Sequence, residues 1–122
     1  MTTQVLIIAT DNTMLVQLTA MLQPIGYDIV TATDGEQGWS VYQDQSPHAV
    51  ISTVRMPNLD GIGLLRRVRA HAKDLPVVLI ATEASRDSEP EAQALGVTAF
   101  VYEPIISVAD LTRYIPGNSS TT

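Results

Sequence analysis

The sequence predicts a single α/β domain built on a five-stranded parallel sheet. Three observations carry this. Short apolar runs rich in β-branched residues alternate along the chain with amphipathic stretches. Four of the five runs are nearly all apolar, as strands are when helices cover both faces of a parallel sheet. The chain has 122 residues, the length of one domain and enough for one full core.

The elements follow in order. The strands are predicted at Val5–Ala9, Asp28–Ala32, Val50–Thr53, Val77–Ala81 and Ala99–Tyr102. The second alternates apolar and polar positions, which suits a sheet edge. Asp11 or Asn12 can cap a first helix that runs to about Gln23 and stops at Pro24. Its apolar stripe is Met14, Leu15, Leu18, Met21 and Leu22. Asp34 opens a second helix carrying Trp39 and Tyr42, which fall on one face and suit core packing. Asp60 or Gly61 opens a third, with Ile62, Leu65 and Val68 at helical spacing. The fourth is weak. Ser88 can cap it and Pro90 suits its first turn, but only Ala92, Ala94 and Leu95 are available to pack. The fifth, about Val108–Ile115, is short and ends at Pro116. Residues 1–115 therefore form the domain, and 116–122 form a polar tail or the start of a linker. Alternating strands and helices imply right-handed crossovers. Ligands of such folds sit beyond the carboxyl ends of the strands, so the informative loops follow the first, third, fourth and fifth strands.

Composition narrows the function. Hydrophobic residues make up 45% and charged residues 16%, a balance that argues against disorder. The apolar runs are too short to cross a bilayer, and no secretory signal is visible. There are no cysteines, which excludes disulfides and thiol chemistry and favours a cytoplasmic location by default. The net charge of −6 argues against general affinity for nucleic acid. Four of the seven basic residues, Arg66, Arg67, Arg69 and Lys73, nevertheless fall within eight positions. They make either an ordinary solvated helix face or a patch for an acidic partner. His48 and His71 have no metal-ligand spacing. Asp11 and Glu103 together offer fewer oxygens than a hard cation takes.

Four segments, in order, resemble the receiver domain of two-component response regulators. They are "TDGEQGW", "PHAVISTVRMPNLDGIGLLRRVR" with its Met-Pro-x-x-Asp-Gly loop, "LPVVLIATEA" and "LGVTAFVYEP". The resemblance spans about residues 4–115. It implies a flavodoxin-like, receiver-type sheet of order 2-1-3-4-5 flanked by about five helices. It also implies a chemistry that needs five groups. A carboxylate ending the third strand accepts a phosphoryl group, two acids after the first strand hold Mg²⁺, and a hydroxyl after the fourth strand and a lysine after the fifth contact the phosphoryl group. The matching positions here are Thr53, Ala9 and Thr10, Ala81, and Glu103. All five differ from the family pattern. Met56-Pro57 and Asp60-Gly61 fix the register at the third strand, and Pro104 fixes it at the fifth. At the fourth, Thr82 comes one residue late and is expected on the opposite face of the extended chain.

The expectation is a degenerate receiver: a non-enzymatic signalling module with no metal or cofactor, working through a protein partner independently of aspartyl phosphorylation. The alternative is a small-ligand sensor that uses the emptied pocket. The first helix is the first candidate interface. It carries no charge from Thr13 to Gln23, and its outward positions include Val16, Gln17, Thr19, Ala20 and Gln23. A solvated helix normally shows charges opposite its core stripe, whereas low charge density favours an interface.

Overall fold

The computed structural model describes residues 2–116. Five strands form one parallel sheet: β1 (Gln4–Ile8), β2 (Asp28–Ala32), β3 (Ala49–Thr53), β4 (Val77–Ala81) and β5 (Ala99–Tyr102). Their order is β2-β1-β3-β4-β5. The α-helices are α1 (Asn12–Leu22), α2 (Gly35–Gln45), α3 (Gly61–His71), α4 (Glu89–Ala94) and α5 (Ala109–Thr112). Two 3₁₀ segments, Gln23–Ile25 and Glu83–Ser88, lie before β2 and α4.

Side-chain alternation along the central strands feeds two cores. Val5, Ile7, Ile51, Val78 and Ile80 point to one face, where Leu15, Leu18, Leu22 and Leu111 cover them. Leu6, Ile8, Val50, Val77 and Leu79 point to the other, beneath Leu64, Leu65, Val68 and Ala92. These aliphatics are almost wholly buried, and burial of that kind is the main stabilising contribution to the fold. β2 lies at the sheet edge with its burial mixed, as its alternating sequence predicts. Among the described residues no helix is long and apolar enough to cross a membrane.

Three aspartates start the three long helices. Asp11 accepts from Thr13 N at 2.9 Å, Asp34 from Gln37 N at 2.8 Å and Asp60 from Gly63 N at 2.8 Å. Each carboxylate satisfies a backbone donor that the helix itself leaves free. Ser88 differs from its expected role, since its side chain makes no capping bond. Instead Thr82 and Ser85 cap the 3₁₀ segment reciprocally, with Thr82 N donating to Ser85 Oγ at 3.1 Å. α1 stops one residue short of Gln23, because Pro24 falls in the following 3₁₀ turn rather than beyond it. α5 is four residues long instead of the expected eight. It anchors through Leu111, which is fully buried. The proposed tail begins at Pro116, and its residues 117–122 lie outside the described part.

Candidate functional site

The loops at the carboxyl ends of β1, β3, β4 and β5 surround a cavity of about 360 Å³. Local sequence builds its centre. After β3 the chain turns through Asn58, whose φ of 72° lies in the left-handed region that asparagine tolerates. It then returns so closely that Gly61 N donates to Val54 O at 2.7 Å. A Cβ at Gly61 would stand 2.6 Å from Thr53 O, so this return needs glycine. Thr53 is thereby held at the strand end, half-buried and facing the cavity. Its hydroxyl makes one long contact, 3.5 Å to Arg55 O.

The floor consists of Met14, Ile80, Thr53 and the buried Ser85. The rim carries Thr10 and Asp11 after β1, Arg55 after β3, Thr82 after β4 and Glu103 after β5. Arg55 is exposed and reaches across to donate to Ala84 O at 3.1 Å, tying the β3–α3 loop to the segment after β4. The Glu103 carboxylate has neither a hydrogen bond nor an ion pair among the described residues. Among those residues no three histidine or acidic side chains converge as a metal cluster.

Thr10, Thr53 and Glu103 thus come together as the sequence placed them. Ala9 and Ala81 do not join them. Ala9 is fully buried in the core beneath α1 and α5, and Ala81 is buried in the opposite core. The expectation for Thr82 is corrected for the same reason. Thr53 pairs with Ile80 across the sheet, so Ile80 and Thr82 share the Thr53 face while Ala81 points away. Two lining residues went unread in the sequence, Arg55 and Ser85. The signal for Arg55 was available, since it lies two residues beyond Thr53 on the loop at the strand's carboxyl end.

The candidate interfaces fare differently. On α1, Val16 is 60% exposed, Ala20 and Gln23 are exposed and Thr19 is half-buried. They line a shallow groove that reaches Thr31 of the edge strand. On α3, Arg66 pairs with Glu91 and Arg67 with Glu36. Arg69 donates to Gly96 O and Ala72 O, both at 3.0 Å. Three of the four basic heads are therefore engaged within the chain, while Lys73 has no hydrogen bond or ion pair among the described residues. His71 stacks on Trp39 with centroids 5.3 Å apart, and Trp39 stacks on Tyr42 at 5.4 Å. Both rings on α2 are half-buried, packed against the core that lies beneath α3 and α4. His48 accepts a 2.9 Å hydrogen bond from Gln4 N through Nδ1.

A doubly covered parallel sheet of order 2-1-3-4-5, with its cavity beyond the strand ends, is the architecture of a receiver-type signalling domain. The response regulator receiver domain family model matches residues 5–115, and the chain belongs to that family. Among curated relatives, it is 32% identical over 108 residues to the two-component response regulator-like APRR7 of Arabidopsis thaliana, covering 85% of this chain and 15% of that protein. It is 26% identical over 103 residues to the transcriptional regulatory protein PrrA of Mycobacterium tuberculosis, covering 84% and 44%. The chain spans less than half the length of the curated relatives it matches. Among solved structures, the Vibrio cholerae chemotaxis protein CheY4 superposes with a TM-score of 0.85 at 26% identity, covering 93% of this chain and 99% of that one. A receiver domain protein from Clostridium thermocellum matches equally well in fold, with a TM-score of 0.85 at 22% identity and coverage of 92% and 90%. Receiver domains are signalling modules that interact with other signalling proteins and output domains.

Proposed function

We propose that this chain is a receiver-type module that transmits a signal by protein–protein interaction in the cytoplasm, without aspartyl phosphorylation and without binding nucleic acid or membrane. The observation that carries this reading is Thr53. It occupies the end of β3 that faces the cavity, where a phosphoacceptor would have to stand. A threonine hydroxyl is a weak nucleophile without an adjacent base, and Thr53 has only a carbonyl contact. The surroundings support the same reading. Asp11 is the one acid on the β1 side of the rim, and one of its oxygens already accepts from Thr13 N. Glu103 adds negative charge at the mouth, which opposes a phosphoryl group.

The ties across the site favour one lasting conformation over a switch. Arg55 joins the β3–α3 loop to Ala84, and Tyr102 on β5 joins Glu89 at the start of α4. The partner surface is the uncharged outer face of α1, around Val16, Thr19, Ala20 and Gln23. The basic face of α3 is the weaker candidate because of its internal pairing.

The test is incubation with acetyl phosphate and millimolar Mg²⁺, followed by intact mass measurement. The expected outcome is no phosphoryl adduct; a stoichiometric gain of one phosphoryl group would overturn the reading. A second reading, sensing of a small ligand, draws support from the cavity. Its volume lies at the lower end of the roughly 300–1,000 Å³ typical of small-molecule sites.

A further inference from the structure

We propose that this cavity binds a small zwitterion of the α-amino acid class, held by Arg55 on one side and by Glu103 and Asp11 on the others. The inference rests on the reading that the site takes neither Mg²⁺ nor a phosphoryl group.

The charge arrangement carries the argument. The strand order places β3 between β1 and β4, with β5 beyond β4. Going around the rim, an acid follows β1, a guanidinium follows β3 and an acid follows β5. The cation therefore stands between two anions around one cavity. None of the ion pairs among the described residues joins these three; those pairs are Arg66–Glu91, Arg67–Glu36 and Arg86–Glu83. Three of the surface guanidinium groups, those of Arg66, Arg67 and Arg86, have closed onto a glutamate. Here opposite charges line a common space and remain apart.

Each charge also keeps free capacity. Arg55 uses Nη2 on Ala84 O, which leaves other N–H donors of its planar fork available. Asp11 Oδ1 serves Thr13 N, so its second oxygen remains open. Glu103 has no hydrogen bond or ion pair among the described residues. A simple anion would meet two carboxylates, and a simple cation would meet the guanidinium. A molecule with both charges on adjacent groups satisfies both sides. Its carboxylate would accept from Arg55, a charge-assisted contact with good fork geometry, and its ammonium would donate to Glu103 and Asp11. The hydroxyls of Thr53 and Thr82 supply further donors and acceptors, while Met14 and Ile80 give the floor an apolar component for a short side chain.

The experiment uses the full chain and thermal unfolding, read with L-valine and L-serine as probes up to tens of millimolar. Binding to the native state raises the melting temperature with ligand concentration. The expected result is a saturable rise of about 2 °C or more with the free amino acids. N-acetyl-L-valine, which lacks the cation, and L-valinamide, which lacks the anion, should each give less than half that rise. Arg55→Gln and Glu103→Gln alter exposed side chains and should each weaken the apparent affinity at least fivefold, and Glu103→Gln should leave the unliganded melting temperature nearly unchanged. No rise with either free amino acid overturns the inference. So does an equal rise with a singly charged derivative, or undiminished binding in both variants. A parallel sample with acetyl phosphate and Mg²⁺ separates the two levels. A phosphoryl gain there would strike down the underlying reading and this inference together, whereas absent amino acid binding without a phosphoryl gain strikes down this inference alone.

Discussion

The Tyr102 hydroxyl donates a 2.6 Å hydrogen bond to Glu89 Oε1. This one contact joins the last residue of β5 to the first residue of α4. Arg86 completes the arrangement, stacking 4.9 Å above the Tyr102 ring while pairing with Glu83. That pairing holds the Glu83 carboxyl below its usual range. α4 has few apolar residues, with Ala92 alone fully buried, so this polar tie matters more to it than to the longer helices. Tyr102→Phe should therefore raise amide exchange selectively in residues 83–94 and leave α1 and α3 unaffected. Uniform protection in the variant would show that packing alone holds α4.

Alkaline pH tests two tyrosines. The hydrogen bond to Glu89 pushes the Tyr102 phenol above its ordinary pKa, and burial does the same to Tyr27, whose hydroxyl donates to Pro116 O at 2.9 Å. In both cases the folded state favours the neutral phenol. The stabilisation is complete below the unfolded value near 10 and is lost as pH rises through the folded value. Urea midpoints should thus be flat toward pH 9 and decline above pH 10. Tyr27→Phe should lower the midpoint at neutral pH but make the alkaline decline shallower. An equally steep decline in that variant would assign the effect to other groups.

Restoring the nucleophile alone should not restore phosphorylation. Thr53→Asp places a carboxylate at a half-buried, cavity-facing position, and the fold should accept it. The variant still lacks a second acid after β1 and still faces Glu103. Acetyl phosphate with Mg²⁺ should leave its mass unchanged over an hour. Adding acids at Ala9 and Thr10 carries its own risk, because the Ala9 side chain points into the core. The Thr10→Asp, Thr53→Asp pair is the better test of metal binding, read as a rise in melting temperature with Mg²⁺.

Gly35 is a structural requirement. A Cβ there would lie 1.7 Å from Leu59 O, so the first turn of α2 and the β3–α3 loop could not both keep their places. Gly35→Ala should cost about 1–3 kcal/mol or more, as overpacking does. The exposed Gln17→Ala should stay within about 0.5 kcal/mol. Equal denaturant midpoints for the two variants would contradict the close approach of α2 to the loop.

Charges on α1 test the proposed partner surface. Val16→Glu with Ala20→Glu should leave folding nearly intact, since Val16 and Ala20 are exposed. Binding to a partner or a second copy should weaken, because an unpaired charge buried at an interface is costly. The lifetime of a complex formed through the native face should vary little with salt, as its contacts are uncharged. Pull-down or sedimentation at low and high salt provides the readout, and unchanged association in the double variant would remove α1 from consideration.

The sheet was legible in the sequence because its central strands are buried on both faces and so read as unbroken aliphatic runs. Strand order came from the resemblance, since periodicity does not report which strands are neighbours. The aspartate caps were legible because capping is local chemistry, decided within three residues. The ends of α1 and α5 were less so. Pro24 fits a 3₁₀ turn as readily as a stop, and after Arg113 the chain tightens into turns, with Tyr114 N donating to Leu111 O and Ile115 N to Thr112 O. The site was half legible. Its loops followed from topology, but the facing of Ala9, Ala81 and Thr82 depends on strand pairing, which shows only in three dimensions. Arg55 has no counterpart among the five groups of the family chemistry, so the family pattern does not point to it. Glu91, Glu36 and Gly96, which engage Arg66, Arg67 and Arg69, lie 25 or more positions away in sequence, beyond any local rule.

The internal pairing of α3 shapes how the molecule looks from a distance. With Arg66, Arg67 and Arg86 neutralised by neighbouring glutamates, the remaining bases are Arg55, Arg69, Lys73 and Arg113. They stand against a much larger set of uncompensated acids. Seen from beyond roughly one Debye length, about 10 Å at 0.1 M salt, the domain is an anion with little positive relief. A basic partner would be drawn in before contact, and its encounter rate would fall as salt rises. The neutral α1 face would then decide whether the encounter lasts. Capture and retention would thus be separate properties, written on different parts of the same small surface.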